Sequence, residues 1–274
     1  MGRLVTLSVV VFVTGCGVRA GVPRSVERLR QAPIYTFTER ELDAYLRHLA
    51  TQPLSMQGRV RLIARQSIGQ PYELGVLGEF PFEVIDPDPM VCLAASDCVT
   101  FVEQTYAMAK ANDWESFIKY LVQIRYQNSI IGFETRNHFV ETDWNWNNTW
   151  LFDEVSRSIS DGNTTDMLTQ VDYTAFFAKH KVRRDMPVNR YKGIYIPREH
   201  ISKTAPQIRD GDVVQLVKGD EQLQYVSHMG LLFHDEAGRV TMLHSGKPAV
   251  REVVLESYLQ SHPTVLGIKV LRPR

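Results

Sequence analysis

The chain has 274 residues, and its 31 basic and 31 acidic side chains give a formal net charge of zero. This balance gives no electrostatic reason to expect nucleic acid or an anionic surface as a partner. Roughly 240 residues follow an N-terminal leader, which is enough for one domain with its own hydrophobic core. No internal repeat or low-complexity segment divides the chain.

The N-terminus has the pattern of a secretion signal. An apolar run from residue 4 to residue 13 is too short to cross a hydrocarbon layer of about 30 Å. It ends in Val13-Thr14-Gly15-Cys16, which resembles the bacterial lipobox, whose cysteine is diacylated and becomes the mature N-terminus. The resemblance implies a signal peptide over residues 1–15 and a lipid on Cys16. Gly17 implies sorting to the periplasmic side of the outer membrane, and the alternative is an ordinary signal peptide without lipid.

The next segment lacks a sustained apolar pattern. Residues 16–35 contain four arginines together with proline and glycine, so we predict a lipidated tether there. Residues 36–274 are then expected to form a single catalytic domain. A monomer is favoured.

The first half of this domain predicts helices. Thr38-Glu39-Arg40-Glu41 has the form of a capping box, and apolar residues follow at helical spacing. Further helices are predicted over residues 55–67, over residues 97–111, and after the capping residue Asp113. The stretch 132–190 is mixed and gives no clear pattern.

The last third changes to short runs with high β-propensity. They begin at Asp212, Met229, Val240 and Leu266 and are separated by turn residues. Such runs predict adjacent antiparallel strands. Helices followed by strands indicate an α+β fold, in which helices pack against a small antiparallel sheet.

Cys98 is the candidate nucleophile. It follows Asp97 at the predicted start of a helix, after a loop rich in glycine and proline. A thiol reacts as the thiolate, which the partial positive charge of a helix N-terminus and a nearby imidazole both favour. Two alternatives are a small core residue and a disulfide with Cys92 in an oxidising compartment.

Five short segments, one of which contains Cys98, follow one another along the chain. They are Gly69-Gln70-Pro71-Tyr72, Asp97-Cys98-Val99-Thr100-Phe101-Val102, Arg209-Asp210-Gly211-Asp212-Val213-Val214, Ser227-His228-Met229-Gly230-Leu231-Leu232 and Met242-Leu243-His244-Ser245. Together they resemble the motifs of the NlpC-type papain-like cysteine peptidases and amidases of bacterial cell walls.

The branch that the chain most resembles is the N-acetylmuramoyl-L-alanine amidase-like group. That group has a long insert between nucleophile and base, with a segment similar to Arg136-Asn137-His138-Phe139. Two features depart from the simpler members: Val99-Thr100 replaces Ser-Gly, and the cysteine-to-histidine stretch is far longer. The resemblance implies a papain-like α+β fold, with the nucleophile helix packed on a small antiparallel sheet or half-barrel.

The resemblance also implies catalytic roles. Cys98 attacks an amide carbonyl, and His228 accepts its proton and later delivers it to the leaving amine. His244 holds the His228 imidazole in the productive tautomer, although His234 is an alternative for that role. The backbone N–H of Cys98 and the hydroxyl of Tyr72 are the expected oxyanion donors.

Four residues are candidates for substrate binding. Trp144 and Trp146 lie in the most aromatic and amide-rich stretch, which suits stacking on sugar rings but equally suits a loop packed over the domain. Arg136 and His138 are expected, on the resemblance and on charge, to bind a carboxylate of the stem peptide.

No cofactor and no metal are expected. Histidines at positions 138, 228, 234 and 244 make zinc chemistry an alternative, but the chain contains neither His-Glu-x-x-His nor paired Cys-x-x-Cys. The leading hypothesis is an N-acetylmuramoyl-L-alanine amidase that acts on peptidoglycan or released muropeptides. The alternatives are a cysteine endopeptidase that cuts between D-glutamate and the diamino acid, and an inactive lipoprotein that binds peptidoglycan.

Overall fold

Helices come first along the chain in the computed structural model, which describes residues 23–274. They are α1 (Val26–Leu29), α2 (Glu39–Ala50), α3 (Met56–Gln66), α4 (Cys98–Lys110) and α5 (Trp114–Arg125). The predicted signal peptide and Cys16 lie outside the described residues. Within residues 23–274, no helix has the length and apolar character needed to span a bilayer.

The helix starts predicted from capping residues are confirmed. Thr38 and Glu41 form the capping box of α2, in which the Thr38 hydroxyl accepts the Glu41 N–H at 3.3 Å. Asp113 caps α5, and its carboxylate accepts the N–H of Ser116 at 2.8 Å. These contacts are local in sequence, which is why the residue pattern alone located them.

Residues 23–35 pack on the folded domain, so within the described residues the domain extends on the N-terminal side of the predicted boundary at residue 36. Residues 16–22 of the predicted tether lie outside the described residues. Leu29 and Ile34 are buried in the same core as α2. Arg24 forms an ion pair with buried Glu41 at 2.8 Å and lowers the pKa of that carboxyl to about 2. Contacts with residues distant in sequence order this segment, and no periodic pattern within it could show them.

An insert of short elements follows α5. It contains the π-helix Val140–Trp144, α6 (Asn145–Asn147), β1 (Phe152–Glu154), α7 (Ser156–Ile159), β2 (Thr165–Val171), α8 (Tyr173–Lys179), β3 (Asn189–Pro197) and α9 (Arg198–Thr204). β2 and β3 form an antiparallel pair that sequence analysis did not predict. Most residues of the two strands are at least partly exposed, so they lack the apolar alternation of a half-buried sheet.

The main sheet follows the insert. It contains the strands β4 (Val213–Gly219), β5 (Gln224–His234), β6 (Val240–His244), β7 (Arg251–Val254) and β8 (Gly267–Pro273). The helix α10 (Leu255–Ser261) lies between β7 and β8 in the sequence. The strand order is β2-β3-β8-β4-β5-β6-β7, with β1 also paired to β8, and every pairing is antiparallel. The predicted α+β layout is confirmed, whereas the NlpC-type papain-like detail stays a prediction.

The two faces of the main sheet pack on different helices. Val213 of β4 and Met229 of β5 lie in the core that includes α2 to α5. Leu216 and Leu232 lie in a second core that includes α9 and α10. Because neighbouring residues of a strand point to opposite faces, Gln215 shares the α4 side of the sheet with Met229.

Candidate active site

The start of α4 is held by a reciprocal cap. The Asp97 carboxylate accepts the N–H of Val99 at 3.1 Å and that of Thr100 at 2.8 Å, while the Thr100 hydroxyl accepts the Asp97 N–H at 2.9 Å. Thr100 therefore has a structural role at the place where the resembled family carries glycine. Cys98 begins the helix as a partly exposed free thiol, so it is not in a disulfide with Cys92.

Burial has the largest effect on the acidity of the Cys98 thiol. Burial, and then the Asp97 carboxylate, raise the pKa of Cys98 to about 12. The backbone N–H groups of Met229, Val99 and Cys98 itself lower this pKa, but their effect is smaller. The sequence predicts that the helix N-terminus lowers the pKa of the thiol. In the structure this pKa is raised, because burial outweighs the effect of the helix N-terminus.

A β-bulge precedes the candidate base. Leu216 of β4 pairs with His228, but Val217 pairs with Val226, so Ser227 is the extra residue of β5. Bulges bend a strand and redirect the neighbouring side chains. The next residue after His228 is Met229, whose N–H acts on the Cys98 thiol. The strand that carries His228 therefore lies against Cys98.

His228 and His244 form a hydrogen-bonded pair on adjacent strands. Nε2 of His228 lies 2.7 Å from Nδ1 of His244, and the two rings are perpendicular at 88°. Since Nε2 of His228 is occupied by His244, a role for His228 as a general base would fall to Nδ1. That role requires the proton on Nε2 of His228 to be donated to Nδ1 of His244.

Both imidazoles are neutral at neutral pH. Burial lowers the pKa of His228 to about 4 and that of His244 to about 3. The positive charge of Arg251 acts in the same direction on both rings. A neutral imidazole can accept a proton, which is the state that general-base catalysis requires.

Gly230 and Tyr258 shape the histidine pair, and sequence analysis did not single out either residue. A Cβ at position 230 would lie 2.9 Å from the His244 Cβ and 2.9 Å from the Leu243 carbonyl oxygen. The Tyr258 ring lies 5.2 Å from the His244 ring and 6.5 Å from the His228 ring, measured between centroids. The signal for Gly230 was its place two residues after His228, whereas Tyr258 stands in no motif.

Tyr72 lies on the loop beside the nucleophile. Its backbone bridges to Ser96 and its N–H donates to the Pro248 carbonyl at 3.0 Å. Burial is the main cause that raises the pKa of the Tyr72 hydroxyl, which keeps it protonated as a donor. Its assignment as an oxyanion donor stays a prediction.

His234 does not orient His228, so that alternative is wrong. Nδ1 of His234 lies 3.0 Å from the Asp210 carboxylate, and the His234 carbonyl accepts a hydrogen bond from Arg61 at 2.8 Å. Six residues of extended strand separate His234 from His228, a span of roughly 20 Å.

The two candidate tryptophans have different environments. Trp144 is fully buried, stacks on Phe152 and donates from Nε1 to Glu103 at 3.0 Å. Its assignment to sugar contact is therefore wrong, because a substrate cannot reach it. Trp146 follows two residues later, which places it near the opposite side of the helical segment, and it is 69% exposed.

Arg136 is held by internal acceptors. It donates to the Leu77 carbonyl at 2.9 Å and to Asp86 at 2.7 Å, and it lies 3.4 Å from the carboxylate of fully buried Glu79. Since it already balances two internal carboxylates, its contacts do not support the predicted binding of a substrate carboxylate. They indicate that Arg136 ties the loop around residues 77–86 to the insert.

His138 is also held internally. Its Nε2 lies 2.6 Å from the Phe133 carbonyl oxygen, and burial lowers its pKa to about 3. A neutral imidazole gives no charge to attract a carboxylate, so this prediction is not supported either. Within the part of the chain that the structure describes, no group of three or more His, Cys, Asp or Glu side chains is placed to hold a metal ion.

Known crystal structures share this fold. A Legionella pneumophila protein of family DUF1460 superimposes with a TM-score of 0.73 at 23% identity, covering 86% of this chain and 94% of its own. Two structures of an N-acetylmuramoyl-L-alanine amidase from Bacteroides uniformis give TM-scores of 0.64 and 0.65 at 20% identity. Each covers 80% of this chain and 99% of its own.

The fold and the family comparison together define an amidase-like α+β protein. More narrowly, the chain belongs to the AmiA-like family, described as N-acetylmuramoyl-L-alanine amidase-like, whose family model matches residues 62–265. No curated protein matches the chain.

Proposed function

We propose that the protein is a cysteine-dependent amidase that separates the lactyl group of N-acetylmuramic acid from L-alanine of the peptidoglycan stem peptide. The observation that carries this proposal is the His228–His244 pair on a sheet whose strand β5 lies against the free thiol of Cys98. Membership of the amidase-like family supports the bond that is cut.

The first half of the reaction forms a thioester. The Cys98 sulfur attacks the lactyl carbonyl carbon while its proton passes to Nδ1 of His228. Negative charge develops on the carbonyl oxygen, where the Cys98 N–H and the Tyr72 hydroxyl are the proposed donors. The carbon–nitrogen bond then breaks, and His228 gives its proton to the nitrogen of L-alanine, which leaves as an amine.

The second half regenerates the enzyme. His228 removes a proton from a water molecule, whose oxygen attacks the thioester carbon. The carbon–sulfur bond breaks, and the proton returns from His228 to the Cys98 sulfur. The product leaves as the lactyl carboxylate after its carboxyl group releases the remaining proton of the water to solvent. His244 holds the His228 ring in one orientation throughout and stabilises the transient imidazolium.

The test is mass spectrometry of defined muropeptides after incubation with the purified protein. The proposal expects a free stem peptide and a peptide-free sugar. A sugar that still carries a dipeptide would instead indicate the endopeptidase. Cys98→Ala should abolish turnover without unfolding the protein, whereas His234→Asn, a histidine change on the same strand outside the site, should retain it.

Inhibitors and binding distinguish the remaining alternatives. A thiol alkylator should inactivate the protein, and inhibition by a chelator alone would overturn the cysteine mechanism in favour of metal chemistry. Retained muropeptide binding with no turnover under any condition would favour an inactive peptidoglycan-binding protein.

We also propose that Cys16 carries a lipid anchor on the periplasmic side of the outer membrane, on the basis of the lipobox-like residues that end the apolar run. Two or three acyl chains hold a protein at a bilayer far better than one. The full chain should fractionate with membranes, and Cys16→Ser should release it. A wild-type protein found wholly in the soluble fraction, with no acyl mass on its N-terminus, would contradict the proposal.

A further inference from the structure

A small cavity lies in the insert, apart from the thiol and the histidine pair. It has a volume of about 180 Å³, and its lining includes Arg136, His138, Asp143, Trp146, Asn147 and Tyr173. Pockets for complete drug-sized ligands span roughly 300–1,000 Å³, so this cavity has room for one ring and not for a whole muropeptide.

The helical segment 140–147, which carries Trp146, is fixed firmly beside the nucleophile helix. Three side chains anchor it through hydrogen bonds of 2.9 to 3.0 Å: Glu141 to Lys269 of β8, Trp144 to Glu103 of α4, and Asn145 to Gln215 of β4. The Lys269–Glu141 ion pair is buried, and Gln215 is fully buried. Such contacts hold the backbone of the segment in one place, so the position of Trp146 is set before any ligand binds.

The sheet register relates this segment to the thiol. Gln215, which binds Asn145, is paired with Met229 on the neighbouring strand, and the Met229 N–H acts on Cys98. Paired strands lie about 4.8 Å apart, so the segment is anchored one strand away from the residue that contacts the nucleophile. Both α4 and the helical segment 140–147 pack on the same face of the sheet.

The cavity lining combines an aromatic face with polar groups. Trp146 is 69% exposed, although Trp144 of the same segment is fully buried. The Asp143 carboxylate accepts the N–H of Phe139 at 3.0 Å and is also bonded by the Tyr173 hydroxyl. An exposed indole next to fixed carboxylate, hydroxyl and amide groups suits a ligand with one apolar face and several hydroxyls.

We propose that this cavity is a saccharide subsite, in which Trp146 stacks on one sugar ring of the muropeptide on the lactyl side of the bond that is cut. The inference rests on the proposed amidase function, because that reaction requires the sugar to lie near Cys98. In this proposal Trp146 contacts the sugar, whereas Trp144 does not.

The test compares two substrates that share the scissile amide. One is a disaccharide muropeptide, and the other is the same stem peptide carrying only a D-lactyl group in place of the sugar. Trp146→Ala should raise KM for the muropeptide about tenfold, the effect of losing about 1.4 kcal/mol of stacking, with a smaller change in kcat. Its kcat/KM for the D-lactyl peptide should equal that of the wild type.

Two control variants sharpen this comparison. Trp146→Phe keeps an aromatic face and should restore most of the affinity for the muropeptide. Tyr225→Ala removes another exposed aromatic side chain that lies outside the cavity, and it should leave both substrates unaffected. Equal losses on the two substrates, or no loss on either, would overturn the subsite.

Direct binding separates this inference from the proposed function. The peptide-free disaccharide should bind Cys98→Ala protein in calorimetry, and the Trp146→Ala change should abolish that binding. Binding without any turnover by the wild-type protein would retain the subsite and reject the amidase. Turnover of both substrates with equal efficiency would retain the amidase and reject the subsite.

Discussion

Nε2 of His228 and Nδ1 of His244 lie 2.7 Å apart, so one proton between them ties the orientation of the candidate base to a residue on the next strand. His244 is 1% exposed, and among residues 23–274 its Nε2 has no hydrogen-bond partner. The contact with His228 is therefore the main polar restraint on the His244 ring. This arrangement suits an orienting residue that does not itself reach the substrate.

The first prediction concerns this pair. His228→Ala should lower kcat by a factor on the order of 10²–10⁴, because it removes the general base. His244→Asn should cause a smaller loss, since an amide oxygen can still accept from Nε2 of His228. Steady-state kinetics of the double variant should match His228→Ala, because residues that act as one unit are non-additive. Losses that multiply would show that the two histidines act independently.

Local features of the site were predictable from sequence, and long-range features were not. Asp97 and Cys98 start α4 because a cap depends on residues three positions apart. The histidine strands were recognisable from short apolar runs between turns. Trp144 and Trp146 looked equivalent in sequence, and only the packing of the insert on α4 separates a buried side chain from an exposed one.

The charge state of the thiol illustrates the same limit. The helix N-terminus next to Cys98 is visible in the sequence, but the degree of burial is not. Burial raises the pKa of Cys98 and lowers that of His228, so it favours the neutral form of both groups. The pattern of short apolar runs correctly predicted His228 and His244 on adjacent strands, but the direction of the Cys98 pKa shift depends on burial, which no local pattern reveals.

A second prediction follows for alkylation of Cys98. With a thiol pKa of about 12, the rate of reaction with iodoacetamide should be low at neutral pH and should rise through the alkaline range without a plateau. The measurement is the second-order rate constant as a function of pH, with Cys98→Ala as the blank. A plateau that begins below pH 7 would indicate a preformed thiolate–imidazolium pair and would contradict the neutral resting state.

A third prediction concerns stability in acid. His228 and His244 have pKa values of about 4 and about 3 when folded, below the ordinary value of 6.5. Between those values the unfolded chain binds more protons than the folded one, so the free energy of unfolding decreases as pH falls below about 6.5. Thermal unfolding should show a Tm that declines from pH 6.5 to pH 4. The double variant His228→Asn/His244→Asn should show a shallower decline, and an unchanged slope would contradict this account.

A fourth prediction compares two glycines. Gly230→Ala should lower both Tm and activity, because the new methyl group would press on the His244 Cβ and on the backbone of Leu243, at a cost of about 1–3 kcal/mol. Gly58→Ala is the matched control, because the atom nearest to the new Cβ is 3.5 Å away and the residue lies in helix α3. It should leave activity unchanged and raise stability by up to about 1 kcal/mol. Equal effects at both sites would refute the role of Gly230.

Tyr258 provides the last prediction, and its basis is a stack of rings. One side of the Tyr258 ring faces the histidine pair, and the ring of His262 stacks on it at 3.9 Å and 9°. Tyr258 thus covers both imidazoles from the side of α10 and contributes to their burial. Since burial is the main cause of the low pKa of His228, Tyr258 helps to keep the base neutral.

Removing the Tyr258 ring should therefore affect the pH profile as well as the rate. Tyr258→Ala should lower kcat about tenfold, because His244 becomes less restrained. The change should also admit water, so that the pKa of His228 rises from about 4 towards its ordinary value. The acidic limb of the kcat profile should then move to higher pH. Tyr258→Phe keeps the ring and should retain both the rate and the profile. The measurement is kcat from pH 4 to pH 8 for the three proteins. If Tyr258→Phe loses as much as Tyr258→Ala, the hydroxyl and not the covering ring is the group that acts.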